Sequence, residues 1–154
     1  MLSKAIIVYE SKYGNTKLVA ETIAGGMKEV GGIEAIVSEV KEVDLNTISD
    51  YDAILIGSPN HIGGPVGGIK KFIDKLGKIL PEGKTLAAFD TYLGKEFEKA
   101  TKKMEKKIGE KVGSAKLVTP GLSIKVDGMK GPVSEGELPK CKEFGKKIAA
   151  QMKA

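Results

Sequence analysis

Ser11, Gly14, Asn15 and Thr16 stand together in the segment Ser11-Lys12-Tyr13-Gly14-Asn15-Thr16, and their types suit the binding of a phosphate. The two hydroxyls can donate to anionic oxygens, and Gly14 lets the backbone come close to them. A short apolar run, Ile6-Ile7-Val8-Tyr9, precedes the segment. A helical pattern follows at once, with Leu18, Val19, Thr22, Ile23, Met27 and Val30 at helical spacing. Strand, polar loop and helix start together make an anion cradle, because the first-turn N–H groups lack helical partners and the helix dipole favours negative charge there. The loop lacks the Gly-Lys-Ser/Thr ending of nucleoside-triphosphate loops, and Gly14 stands where a dinucleotide fingerprint needs three glycines. These residues point to a phosphorylated small molecule at the end of the first strand. The plainer alternative is a capped turn, with Ser11 or Asn15 serving as the N-cap.

Strands and helices alternate along the chain that must hold this loop. Residues 4–9 read as a buried strand, about 15–30 as a helix and 33–40 as a more polar strand. Residues 45–52 read as a short helix or turn. Ala53-Ile54-Leu55-Ile56-Gly57-Ser58 is apolar almost throughout, as expected at the centre of a parallel sheet. Pro65 is expected to open a helix with the stripe Ile69, Phe72, Ile73, Leu76, Leu80. A strand over 85–89 follows, then a helix with Phe97, Thr101, Met104, Ile108 and Val112 on one face. Residues 116–126 form a fifth strand interrupted at Pro120-Gly121, and a last helix from about Glu137 carries Leu138, Cys141, Phe144, Ile148 and Met152. The expectation is one α/β domain over residues 1–154, a doubly wound five-stranded parallel sheet whose ligand sits beyond the carboxyl ends of the strands.

Two further loops then lie beside the first. Gly57-Ser58-Pro59-Asn60-His61-Ile62-Gly63-Gly64-Pro65 is long for a strand-to-helix connection, which commonly takes about two to six residues. Asp90-Thr91-Tyr92-Leu93-Gly94 follows the fourth strand, where the Tyr92 ring could stack on a planar ligand.

Composition removes other classes. No apolar stretch is long enough to span a membrane, and Met1-Leu2-Ser3-Lys4 runs straight into the first strand, leaving no room for a leader. A cytoplasmic chain is expected. Cys141 is the only cysteine and His61 the only histidine, so no metal site and no Cys/His nucleophile pair is expected. All 25 basic residues are lysine, which removes the planar fork suited to guanine and to bidentate phosphate contacts and weighs against nucleic-acid reading. The charge is uneven: residues 95–154 carry 15 lysines against 8 acidic residues, a net of +7, within a chain of net +5.

The loops carry a resemblance. Ser11-Lys12-Tyr13-Gly14-Asn15-Thr16 is similar to the Ser/Thr-x-x-Gly-x-Thr phosphate loop of flavodoxins. Gly57-Ser58-Pro59-Asn60-His61 resembles the corresponding loop of flavodoxin domains in flavodiiron proteins, and Ala87-Ala88-Phe89-Asp90-Thr91-Tyr92 resembles the strand and loop carrying the family's stacking tyrosine. Lys130-Gly131-Pro132 through Glu135-Gly136-Glu137-Leu138 resembles archaeal, short-chain members. The resemblance implies the strand order 2-1-3-4-5 and FMN as cofactor. The implied binding residues are Ser11, Lys12, Tyr13, Gly14, Asn15 and Thr16 at the phosphate. At the ring they are Ser58, Pro59, Asn60, His61, Ile62 and Gly63, with Asp90, Thr91, Tyr92 and Gly94 opposite. Backbone carbonyls around Ile62-Gly63-Gly64 would accept the N5–H of the reduced ring. The chain has no tryptophan, so the family's frequent second stacking ring has to be replaced by Asn60, His61 or Ile62.

The function implied is a single-electron carrier without catalytic residues. It would be monomeric and would shuttle between other redox proteins, acidic ones such as ferredoxins included, with no role for nucleic acid or membrane. The alternative on the same fold is an FMN-dependent NAD(P)H:quinone oxidoreductase of the WrbA type, whose added segment after the fourth strand has no counterpart between Asp90 and the next helix. A phospho-acceptor signalling domain needs an aspartate after the third strand and an acidic pair after the first, which Gly57-Ser58 and the single Glu10 do not supply.

Overall fold

The computed structural model describes residues 2–153. In chain order it comprises β1 (Ser3–Tyr9), α1 (Asn15–Val30), β2 (Ile33–Glu39), β3 (Ala53–Pro59), α2 (Gly67–Ile79), β4 (Thr85–Tyr92), α3 (Lys99–Lys111), β5 (Lys116–Leu117), β6 (Leu122–Lys125) and α4 (Leu138–Met152). Two single turns of 3-10 helix, at Val40–Glu42 and Ile48–Asp50, lie between β2 and β3. The sheet runs β2-β1-β3-β4-β5 and β6 also pairs with β4, every pairing being parallel. This is the doubly wound parallel α/β arrangement that the alternation of patterns predicts, in the order 2-1-3-4-5 that the resemblance implies.

The central strands are apolar on both sides because both sheet faces are covered. Along β1, Ala5, Ile7 and Tyr9 pack with Val19, Ile23 and Met27 of α1 and Cys141, Phe144 and Ile148 of α4. Ile6 and Val8 point the other way, towards Ile69, Phe72, Ile73 and Leu76 of α2 and Met104 and Ile108 of α3. Each such fully buried side chain contributes about 1.5–3 kcal/mol. The two helices on the first face touch backbone to backbone: a Cβ at Gly26 would overlap the Lys142 carbonyl, and one at Gly145 the Ile23 carbonyl. That close crossing holds α1, and with it the loop at its start, against the sheet.

Three expectations need correction. β4 runs to Tyr92 rather than ending at Phe89, so Asp90 and Thr91 are strand residues. The cause is β6, which offers a parallel partner from Leu122↔Phe89 to Lys125↔Tyr92. The interruption expected at Pro120-Gly121 is present, between β5 and β6, with Gly121 so close to the Ala88 carbonyl that a Cβ would overlap it. The third helix starts at Lys99, which leaves Phe97 outside its stripe and 55% exposed. α2 starts at Gly67 rather than Pro65, because Val66 remains extended at φ −73°, ψ 158°.

Candidate functional site

The carboxyl ends of β1, β3 and β4 meet at one edge of the sheet. After β1, the Ser11 hydroxyl accepts a hydrogen bond from the Gly14 N–H at 3.0 Å, closing a turn that Gly14 completes at φ 92°. The first bond of α1 is Leu18 N–H to Gly14 O, 3.0 Å. The N–H groups of Asn15, Thr16 and Lys17 therefore stand ahead of the helical ladder and need outside acceptors. No acidic side chain lies in this first turn. Thr16 is 1% exposed, and its hydroxyl is 2.9 Å from that of Thr91. It thus ties the first loop to β4. Lys12 and Tyr13 face outward, with the Lys12 ammonium 5.5 Å from the centre of the Tyr13 ring.

The loop after β3 is a small hairpin. Ser58 closes its base from inside: its buried hydroxyl donates to the Pro59 carbonyl (2.7 Å) and accepts the Val66 N–H (3.0 Å). His61 and Gly64 exchange N–H···O bonds of 2.7 and 3.2 Å around Ile62 and Gly63, whose φ values are 50° and 75°. Two left-handed residues in succession make the tight turn that suits a hairpin. Glycine adopts that geometry freely, whereas the β-branched Ile62 is held there at a cost of roughly 1–3 kcal/mol. Its side chain stands 92% exposed. Asn60 donates its N–H to the Thr91 carbonyl at 2.8 Å. The Asn60 side-chain oxygen is buried and has no partner.

From β4, Thr91 and Tyr92 face this loop. Tyr92 is half-buried and meets Phe97 edge-on, with ring centres 5.4 Å apart and planes at 70°. Burial, with Glu137 nearby, pushes its phenol above the ordinary range. Asp90 turns the other way. It is fully buried, its carboxylate accepting the Ser123 hydroxyl at 2.6 Å and the Thr101 N–H at 2.9 Å. Ser123 in turn accepts the Glu98 N–H at 2.8 Å. Asp90 therefore pins β6 and the start of α3 behind the site. Burial drives its carboxyl above the usual carboxylate range, against the pull of those hydrogen bonds.

A cleft of about 1090 Å³ opens between these loops. Of the residues singled out from the sequence, Ser11, Lys12, Tyr13, Asn15, Thr16, Pro59, Asn60, His61, Ile62, Thr91 and Tyr92 line it. Gly14, Ser58, Gly63, Asp90 and Gly94 do not. Ser58 and Asp90 are wholly internal, because a buried strand end needs its polar side chains to satisfy neighbouring N–H groups. The sequence reading missed Glu10, Glu39, Lys41, Val66, Lys70, Leu93, Val126 and Met129. Val126 and Met129 belong to a hairpin closed by the Val126↔Val133 bridge, Asp127 N–H to Pro132 O (2.9 Å) and Gly131 N–H to Gly128 O (2.9 Å). The Gly-x-x-Gly-Pro spacing of Gly128, Gly131 and Pro132 was the available signal for that turn.

Residues 6–125 match the family model for the flavodoxin domain. The chain belongs to the flavodoxin family. It is similar to the structure of a flavodoxin from the domain Archaea, with TM-score 0.84 and 32% identity over 98% of this chain and 99% of that one. It is 32% identical to an uncharacterized protein of Methanocaldococcus jannaschii over 96% of this chain and 36% of that protein. A flavodoxin of Clostridium saccharobutylicum is 35% identical over 57% of this chain and 55% of its own length. The chain thus spans about a third and about half of these two curated relatives. Among the described residues, no helix is long and apolar enough to cross a membrane.

Proposed function

We propose that this flavodoxin-family chain binds FMN noncovalently in the cleft and acts as a cytoplasmic electron carrier between redox proteins. One observation carries the reading: the N–H donors at the start of α1, which have no helical acceptor, open onto the same cleft as Tyr92. A ligand with an anionic end and a planar ring answers both. The cleft volume also lies just above the usual range for small-molecule sites, about 300–1,000 Å³, which leaves room for a phosphorylated planar ligand.

In this reading the N–H groups of Asn15, Thr16 and Lys17, with the Ser11 and Thr16 hydroxyls, hold the phosphate. Pro59, Asn60, His61, Thr91 and Tyr92 hold the ring. Bound FMN supplies a centre that takes up and releases electrons one at a time. The chain's own part is to fix the phosphate, exclude water from Tyr92 and the Asn60 side, and leave the Ile62 turn open to solvent.

Thr16→Ala is expected to weaken FMN binding more than Lys12→Ala. Thr16 is buried, and its hydroxyl also fixes the loop to Thr91. A hydrogen bond to a charged group is worth about 1.5–3 kcal/mol, or about 10- to 100-fold in Kd. Lys12 is exposed, where an ion pair is worth about 0–1 kcal/mol. Fluorescence titration of each apoprotein with FMN checks the order, and an equal or larger loss for Lys12→Ala would place the phosphate elsewhere.

The oxidoreductase alternative is tested by steady-state oxidation of NADH and NADPH with a quinone. Only Leu93–Glu98 join β4 to α3, which gives little protein with which to build a nicotinamide pocket. The expected rate is that of free FMN. Saturable turnover well above it would replace the carrier reading.

A further inference from the structure

Most lysines on the two basic helices are already engaged. On α3, Lys99 pairs with Glu96, Lys102 with Glu98 and Lys107 with Asp74. On α4, Lys140 pairs with Glu137, while Lys142 and Lys146 share Glu29. Their excess charge is therefore partly answered within the chain. A different set surrounds the cleft. Lys12, Lys41 and Lys70 line it. The Lys130 ammonium lies 6.0 Å from the centre of the Tyr13 ring. Lys103 lies alongside the hairpin turn, where a Cβ at Gly64 would come within 3.2 Å of its chain and 3.6 Å of its ammonium. Among the described residues, none of these five forms an ion pair.

The mouth they surround is apolar. Ile62 is 92% exposed, Met129 74%, Leu93 43% and Tyr13 40%, and all four line the cleft. Among the described residues, Glu10 and Glu39 are the only carboxylates lining it. An exposed apolar centre inside a rim of uncommitted charge is the anatomy of a docking face for a protein partner. The rim's sign selects the partner, since like charges across an interface are penalised and opposite ones speed the encounter.

We propose that the cleft mouth docks a small acidic redox protein. Its carboxylates meet Lys12, Lys70, Lys103 and Lys130, and an apolar patch inside them covers Ile62 and Met129. The inference rests on the carrier reading for its biological sense, but its location and sign come from the charge and exposure around the mouth.

The test uses the full chain, isotopically labelled, with and without added FMN, titrated by NMR with an acidic ferredoxin and separately with basic cytochrome c. Expected are shifts centred on residues 61–64, 93–97 and 129–130 with the ferredoxin. Its Kd should weaken by about tenfold or more between about 0.05 and 0.3 M salt, and cytochrome c should bind more weakly at low salt. Lys103→Glu combined with Lys130→Glu should weaken ferredoxin binding by about tenfold. Lys111→Glu combined with Lys147→Glu, away from the mouth, should change it by less than about twofold. All four lysines are exposed, so both double variants should fold, and their spectra report this directly. Shifts on the outer faces of α3 and α4, equal effects of the two double variants, no salt dependence, tighter binding of cytochrome c, or no ferredoxin binding would each overturn the proposal. Because the FMN-free chain is titrated too, failure to bind FMN shows separately as failure of the carrier reading.

Discussion

Asp90→Ala is expected to destabilise the folded chain by about 3 kcal/mol, because it strands the Thr101 N–H and the Ser123 hydroxyl in the interior, at about 1–3 kcal/mol for each buried group left unpaired. The Ser123 hydroxyl can rotate and recover part of its share, whereas the Thr101 N–H is fixed by the helix. For a domain of this size the melting temperature should fall by roughly 6–12 °C. Asp90→Asn should keep most of the stability, since an amide oxygen can accept from Thr101 while its NH₂ donates to the Ser123 oxygen. The pair of variants also separates two effects of pH. Burial raises the Asp90 carboxyl above its ordinary 3.8, so the folded state binds this proton more tightly than the unfolded chain. Stability from this group is then full below 3.8 and is lost as pH rises through the raised value. Glu137 acts in the opposite sense. Burial raises its pKa, but the Lys140 ammonium at 2.6 Å and the Lys125 N–H at 2.8 Å outweigh that and hold it low. Its contribution is lost as pH falls. Urea unfolding of the wild type and of Asp90→Asn over a pH series isolates the first effect as a difference. The difference should move in favour of Asp90→Asn as pH rises from about 4. A flat difference, or Asp90→Ala within about 0.5 kcal/mol of wild type, would show that Asp90 is not the anchor described.

Gly131→Ala is expected to lower FMN affinity by about tenfold while leaving riboflavin affinity nearly unchanged. Gly131 holds φ 93° and lies so close to Asn15 that a Cβ would overlap its side-chain amide. Alanine there both strains the backbone and displaces the side-chain amide of Asn15, the residue that starts α1. About 1.4 kcal/mol lost at the phosphate corresponds to the tenfold change, and riboflavin has no phosphate with which to feel it. Gly136→Ala is the control: its φ is 84°, but no heavy atom lies within 4 Å of an added Cβ. It should show backbone strain in its melting temperature and the wild-type ratio of FMN to riboflavin affinity. Equal losses of both flavins in Gly131→Ala would mean that the hairpin supports the fold generally and not the phosphate loop.

The alternation of strands and helices and the first loop were legible because each rests on local pattern. Continuous apolar runs at 53–57 and 85–89 mark strands covered on both faces, and Ser11 to Thr16 follows such a run directly into a helix. What the sequence concealed depended on partners distant in the chain. Asp90 reads as a loop residue facing a ligand until β6 is seen to lengthen β4 and Ser123 to take its carboxylate. Phe97 has the spacing of the α3 stripe, yet it packs on the edge of Tyr92 outside that helix. Met129 and Val126 reach the cleft through a hairpin whose closing bonds leave only glycine and proline as a trace. The sequence shows the charge excess of residues 95–154 but not its pairing, because ion pairs such as Lys142–Glu29 and Lys107–Asp74 join different helices.

In the proposed reading the cleft holds FMN in preference to FAD. Reconstituting the purified chain with an equimolar mixture of FMN and FAD, dialysing exhaustively, heat-denaturing it and identifying the released flavin by chromatography tests this. One equivalent of FMN, no FAD, and an apoprotein that takes FMN up again are expected. Recovery of FAD, or no retained flavin after reconstitution, would contradict the reading.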